Sequence, residues 1–357
     1  MHRGGNPADL AHPVPDGAPS YRTLLRKMQS VLGNRVWSPN GTGTPLEASA
    51  PADPPTISSA EPIEQVDRAR PIRASGTTSV DAFLDGIQRT SIVLHVDAIP
   101  VVHAFVAAVI RQRVDRRMET WGKALTSRAL YLPRSVTDAA MWSDLEAQDV
   151  RLIDTAVGSE PVVHPLTYRR AALDRVAIER ERLEQSIATS WNDAAAGWLW
   201  VDGGVSGIPA LRAQTLDGVR TFGVVKSHAT LYGDAAIIAS TLRLDEALRS
   251  AAFLILHRIR LPVISWYVRL RAADNCDPLH GLVRVELLAP ESTLDRSTGH
   301  VTIRDEALGE ITELADMIST WIMAERLPVS LPDARWDRLT YGVHDCERYL
   351  AALVGTH

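Results

Sequence analysis

A long amphipathic helix set between runs of strands constrains this chain more than any other feature. From Tyr168 to Trp191, "YRRAALDRVAIERERLEQSIATSW" places Leu173, Val176, Leu183 and Ile187 on one stripe at helical spacing. Before it, "VDAFLDG" and "SIVLHVDAI" are short apolar runs separated by turn-prone or polar residues, and read as two strands. "PVVHAFVAAVIRQRV" fits a third strand or a helix. After the helix come four more strand-like runs, "GWLWVDG", "RTFGVVKSH", "VISWYVRLR" and "GLVRVELLA". A helical "LDEALRSAAFLILHRI" stands between the second and third of these. Two helices, "ALGEITELADMISTWIMAERL" and "RWDRLTYGVHDCERYLAALVG", follow. This succession predicts an α/β fold, a mixed sheet flanked by helices. The last two strands are joined by a polar loop of about ten residues, a length that favours antiparallel pairing.

The folded body is expected over residues 76–357, preceded by an arm over 1–75. Residues 1–19 are rich in Pro and Gly and are expected to be disordered. "SYRTLLRKMQSVLG" predicts one short helix, with Leu24, Leu25, Met28 and Val31 on a face and Gly33 as its stop; such a helix can serve as a docking element. A Pro-, Ala-, Ser- and Thr-rich stretch then reads as a linker. With 45% hydrophobic and 23% charged residues, the 357-residue chain has the composition of a soluble protein. Its net charge of −5 gives no global basic signature, though a local basic groove remains compatible with a nucleic-acid partner. Two cysteines make no disulfide framework and fit a reducing cytoplasm. The first residues lack the apolar core of a signal peptide, and "AFVAAVI" is too short to span a membrane.

The candidate chemistry begins with Asp202, which ends an apolar strand and precedes two glycines. Asp-Gly is ordinary turn chemistry. Asp85, before Gly86, repeats the pattern, and two such strand ends side by side supply the hard oxygen ligands a divalent ion takes. Glu184 and Glu179 flank the apolar stripe of the long helix, and Glu181 lies away from it; Glu184 is the candidate third carboxylate, against the plainer reading of a solvated charged face. Lys226, at a strand exit, suits a phosphate contact, and His228 shares its face. In the last helix Leu339, Val343, Cys346, Leu350 and Leu353 form the stripe, so His344 points elsewhere, to solvent or a cleft. A zinc site from Cys276, His280, His344 and Cys346 has poor spacing.

In this order these residues resemble the NurA family of prokaryotic DNA end-processing nucleases. The match runs over Asp85, Glu184, Asp202, Lys226, "GLVRVELLA" with Arg284 and Glu286, and His344, and covers roughly residues 78–355. Glu184 precedes Asp202 by 18 residues, which suits the family pattern. "DGI" stands where the family has Asp-Gly-Ser, and Trp336 where it tends to have a tyrosine that Tyr341 can replace. The resemblance implies an RNase H-like fold and a nuclease using Mn2+ or Mg2+. It implies Asp85, Glu184 and Asp202 as metal ligands, Lys226 and His344 as catalytic groups, and Lys226 and Arg284 as DNA contacts. It also implies a cytoplasmic homodimer docked on a hexameric HerA-type ATPase. The alternative is a scaffold subunit that keeps the fold without catalysis and binds an ATPase or DNA.

Overall fold

The computed structural model describes residues 21–33, 36–37, 44–45, 55–66, 69–73, 76–155, 164–273, 276–297, 299–326 and 341–355. The sheet is organised around β1 (Val80–Val96) and β2 (Ile99–Val114), a long hairpin closed at Asp97, whose φ of 53° suits an aspartate. β3 (Leu125–Leu132) continues the meander antiparallel to β2. β4 (Trp198–Asp202) pairs parallel with β1, and β5 (Thr221–Val225) parallel with β4. β6 (Val263–Arg269) and β7 (Leu282–Leu288) pair antiparallel, as their short connection predicts, and β7 joins β5 antiparallel. The order across the sheet is β3-β2-β1-β4-β5-β7-β6.

Two strand readings change. "VDAFLDG" and "SIVLHVDAI" are one strand: Asp85, Gly86 and Ile87 pair with Val109, Ala108 and Ala107 without a break. The Asp-Gly turn at Asp85 is therefore absent, because β2 pairs along β1's whole length and that pairing outweighs local turn preference. "PVVHAFVAAVIRQRV" is a strand, and its unbroken apolar run is that of a strand covered on both faces.

Helix α1 (Tyr21–Leu32) buries Met28 and Leu32 against Val93, Leu94 and Leu145, while Leu24, Leu25 and Val31 of the same face pack there half-buried. Leu145 belongs to α2 (Ala139–Glu146). α3 (Pro165–Asp193) lays Ala172, Val176, Leu183 and Ile187 on one face of the sheet, against Ala82, Leu84, Leu199 and Val201. Its first turn is set by Pro165 and by His164, which accepts from the Leu166 amide. α4 (Ala235–Leu242) precedes the stretch expected to be helical; there Leu248–Arg249 and Phe253–Ile255 are strands antiparallel to β6. Ala251 to Ile255 are all buried, which is strand-like rather than amphipathic. α5 (Leu308–Ala324) and α6 (Tyr341–Gly355) cover the opposite face, where Ile318, Ile322, Val343, Cys346 and Leu350 join Phe83, Trp200 and Val224.

Glu61–Pro62 pairs with Phe253–Leu254, and Arg70–Pro71 with Leu248–Arg249, so parts of the expected arm belong to the sheet. The expected disorder of residues 1–19 lies outside the described residues. Among the described residues no helix is long and apolar enough to cross a membrane.

Candidate metal centre

Strand register builds the site. β1 and β4 pair Phe83 with Trp200 and Leu84 with Val201, so the next rung sets Asp85 beside Asp202. Alternation turns Phe83, Asp85, Trp200 and Asp202 to one face, and the two rings meet with centroids 5.7 Å apart. α6 packs on that face: Cys346 Sγ donates to the Phe83 carbonyl at 3.3 Å. The next residue, Glu347, leans over the strand pair. One oxygen each from Asp85, Asp202 and Glu347 lies within 4.8 Å of the other two, the only such group of metal-ligating side chains among the described residues.

Glu347 escaped sequence reasoning, which took His344 from the same helix. The stripe put Cys346 in the core, but nothing local says which flanking residue meets a carboxylate pair. His344, about a third exposed, has Nδ1 3.3 Å from Glu347 Oε2. Trp336, Asp337 and Leu339 lie outside the described residues; Tyr341 is exposed.

Glu184 adjoins the trio from the opposite layer without being part of it. Its carboxylate sits against Gly86, where a Cβ would lie 2.0 Å from Oε1, and its nearest cation is Arg180 at 3.4 Å. Burial pushes the Glu184 carboxyl up to about 7; Arg180 opposes this, and Glu181 and Asp202 add to it. The other two glutamates are engaged elsewhere, Glu179 with Arg151 at 2.8 Å and Glu181 with Arg260 at 3.0 Å.

Lys226 lies two residues beyond Val224, the β5 partner of Asp202, and so shares its face. Its Nζ is 2.9 Å from Asp202 Oδ2. Burial opposes its charge, but Asp202, Glu347 and Asp85 outweigh burial and raise its pKa. Asp85 is pushed well above the carboxylate range by burial and then by the charge of Asp202, with Lys226 opposing. Asp202 is raised by burial too, against Lys226. Half-buried carboxylates that repel one another, with one ammonium held by Asp202, form a donor set suited to a small hard cation.

Arg284 is not brought to this site. It is buried in β7, ion-paired with Glu286, and stacked over the Tyr232 ring at 4.7 Å, so it offers no surface to a nucleic acid. The pair acts behind the scenes: Glu286 Oε2 accepts from the Val205 amide at 3.0 Å and fixes the turn after Asp202. Gly204 is needed there, since its Cβ would lie 2.8 Å from Glu286 Oε2. That glycine therefore makes room for a carboxylate of the protein rather than for an incoming ion. His228 holds the Leu282 carbonyl through Nε2 at 2.8 Å.

No protein-family model matches the chain, and no curated protein matches it in sequence.

Proposed function

We propose that this protein is a divalent-metal-dependent nuclease that hydrolyses DNA phosphodiester bonds, on an RNase H-like sheet and with a role like that of the NurA family. One observation carries the reading: Asp85, Asp202 and Glu347 converge from two strands and a helix. The meander β3-β2-β1 followed by the parallel strands β4 and β5 supports the RNase H-like reading.

In this reading Asp85, Asp202 and Glu347 would hold Mn2+ or Mg2+, and the ion would supply water activation and charge compensation for phosphodiester hydrolysis. Lys226 exchanges Asp202 for a non-bridging oxygen of the scissile phosphate and steadies it as a point charge. Glu184 adds negative charge beside the trio as it ionises. His344 orients Glu347 and would protonate the leaving oxygen. The cytoplasmic location, the homodimer and the HerA-type translocase belong to the same proposal.

The test is cleavage of linear DNA with Mn2+, comparing wild type with Asp202→Ala and Glu347→Ala. The reading expects each variant to lose at least about a hundredfold in rate. Equal rates in all three, or an inert wild type, end it.

A further inference from the structure

The hairpin between Phe253–Ile255 and β6 turns through residues 256–262, "LHRIRLP". Its apex is Ile259, 92% exposed, the most exposed large hydrophobic side chain among the described residues. Leu256, at the foot of the same loop, is 45% exposed. Isolated exposed aliphatics are common on protein surfaces. This one differs in its flanks and in its footing. Arg258 is exposed and makes no ion pair with a described residue, and Arg260 follows on the other side.

The loop is braced against the elements that carry the site. Arg260 Nη2 pairs with Glu181 of α3 at 3.0 Å, one helical turn before Glu184. The Leu261 amide donates to the Ser206 carbonyl at 3.1 Å, and the Ala289 amide to Pro262 at 3.0 Å. Ser206 lies four residues beyond Asp202, and Ile259 two residues before Leu261. Chain reach therefore keeps Ile259 within about 25 Å of Asp202, about seven base steps along a strand. A polyanion held at Lys226 and running toward the loop would come within reach of Arg258, since Arg260 is held by Glu181. Folding alone gains nothing from an aliphatic tip in water, whereas a base step offers it an apolar slot.

We infer that residues 256–262 form a wedge that inserts Ile259 into a base step at a duplex end, with Arg258 on an adjacent phosphate, and so delivers one strand to the carboxylate centre. Apolar side chains, isoleucine among them, insert between base steps and partially unstack them in minor-groove proteins. The inference rests on the nuclease reading above, and its test separates the two.

The substrate is a blunt duplex carrying 2-aminopurine at its terminal pair, with the matching single strand as control. Binding is read with Ca2+ and cleavage with Mn2+, for wild type, Ile259→Ala, Ile259→Leu and Arg258→Ala. Because Ile259 stands in solvent, none of these substitutions threatens the fold. Wild type is expected to raise 2-aminopurine emission as the end unstacks, and Ile259→Ala to abolish the rise. Ile259→Ala is also expected to slow duplex cleavage about tenfold while leaving single-strand cleavage unchanged, with Ile259→Leu restoring both readouts. Arg258→Ala should lower the slope of log affinity against log salt by about one. Wild-type emission and duplex cleavage in Ile259→Ala overturn the wedge, even if the tip then proves to bind a protein. Equal losses on duplex and single strand overturn it too. If wild type cuts neither substrate the nuclease reading falls, and the wedge stands or falls on the Ca2+ emission alone.

Discussion

Glu184 keeps its proton to about pH 7 because it is buried; Arg180 opposes this, and Glu181 and Asp202 reinforce it. Its folded pKa lies above the 4.5 of a free glutamate, so the folded state binds the proton more tightly than the unfolded chain. Stability is then full below about pH 4.5 and is lost as pH rises toward 7. Glu184→Gln should leave urea stability at pH 4 nearly unchanged and raise it by about 2 kcal/mol at pH 8, without added metal. A variant no more stable at pH 8 contradicts this burial argument. Gly86 is the companion case. A Cβ there would lie 2.0 Å from Glu184 Oε1, so Gly86→Ala should cost about 2 kcal/mol in wild type and far less in a Glu184→Ala background, as a double-mutant cycle measures. Asp85-Gly86 looks like turn chemistry in the sequence because the seat it provides is for a carboxylate brought from a distant helix. Asp202 and Lys226 were legible for the opposite reason: a polar residue ending an apolar strand carries its own signal.

Among the elements, α6 was readable as a helix from its apolar stripe, but its chemical face was not. Val343, Cys346 and Leu350 fix its rotation on Phe83 and Trp200, and only that docking decides that Glu347 meets Asp85 and Asp202. Stability and metal affinity should therefore move together here. Leu350→Ala should cost about 3 kcal/mol and also weaken Mn2+ binding in calorimetry. Leu145→Ala, in the separate cluster under α1, should cost stability while leaving Mn2+ affinity intact. If both variants keep wild-type affinity, α6 does not position the ligand. The stretch around Leu248–Ile255 misleads in the other direction. Its Ala and Leu content favours helix locally, yet backbone pairing on β6 and burial on all sides make it strand.

At the scale of the whole molecule, the order of helices and strands carried the α/β class, but the way the chain closes its far sheet edge was hidden. Residues before the expected body are clamped there by an ionic network between distant positions. Arg249, fully buried, gives two bonds to Glu64 at 2.6 and 2.9 Å and one to Asp316 at 2.5 Å. Glu64 also accepts from the Ala252 amide and from Thr312, each at 2.7 Å. No periodicity announces such a clamp, because each partner taken alone is an ordinary surface charge. Burial would raise the Glu64 pKa, but Arg249, then Thr312 and Ala252, outweigh burial and hold it at about 2. A folded pKa below the free value of 4.5 contributes stability that is present above pH 4.5 and lost as pH falls toward 2. Glu64→Gln should thus cost about 2 kcal/mol at pH 7, measured by urea unfolding, with the gap from wild type closing by about pH 2. The strand Glu61–Pro62 is held beside this carboxylate, so the same substitution should speed proteolytic cutting near it at pH 7 more than at pH 3. A gap that stays constant from pH 7 to pH 2 would mean that Glu64 serves through its shape rather than its charge.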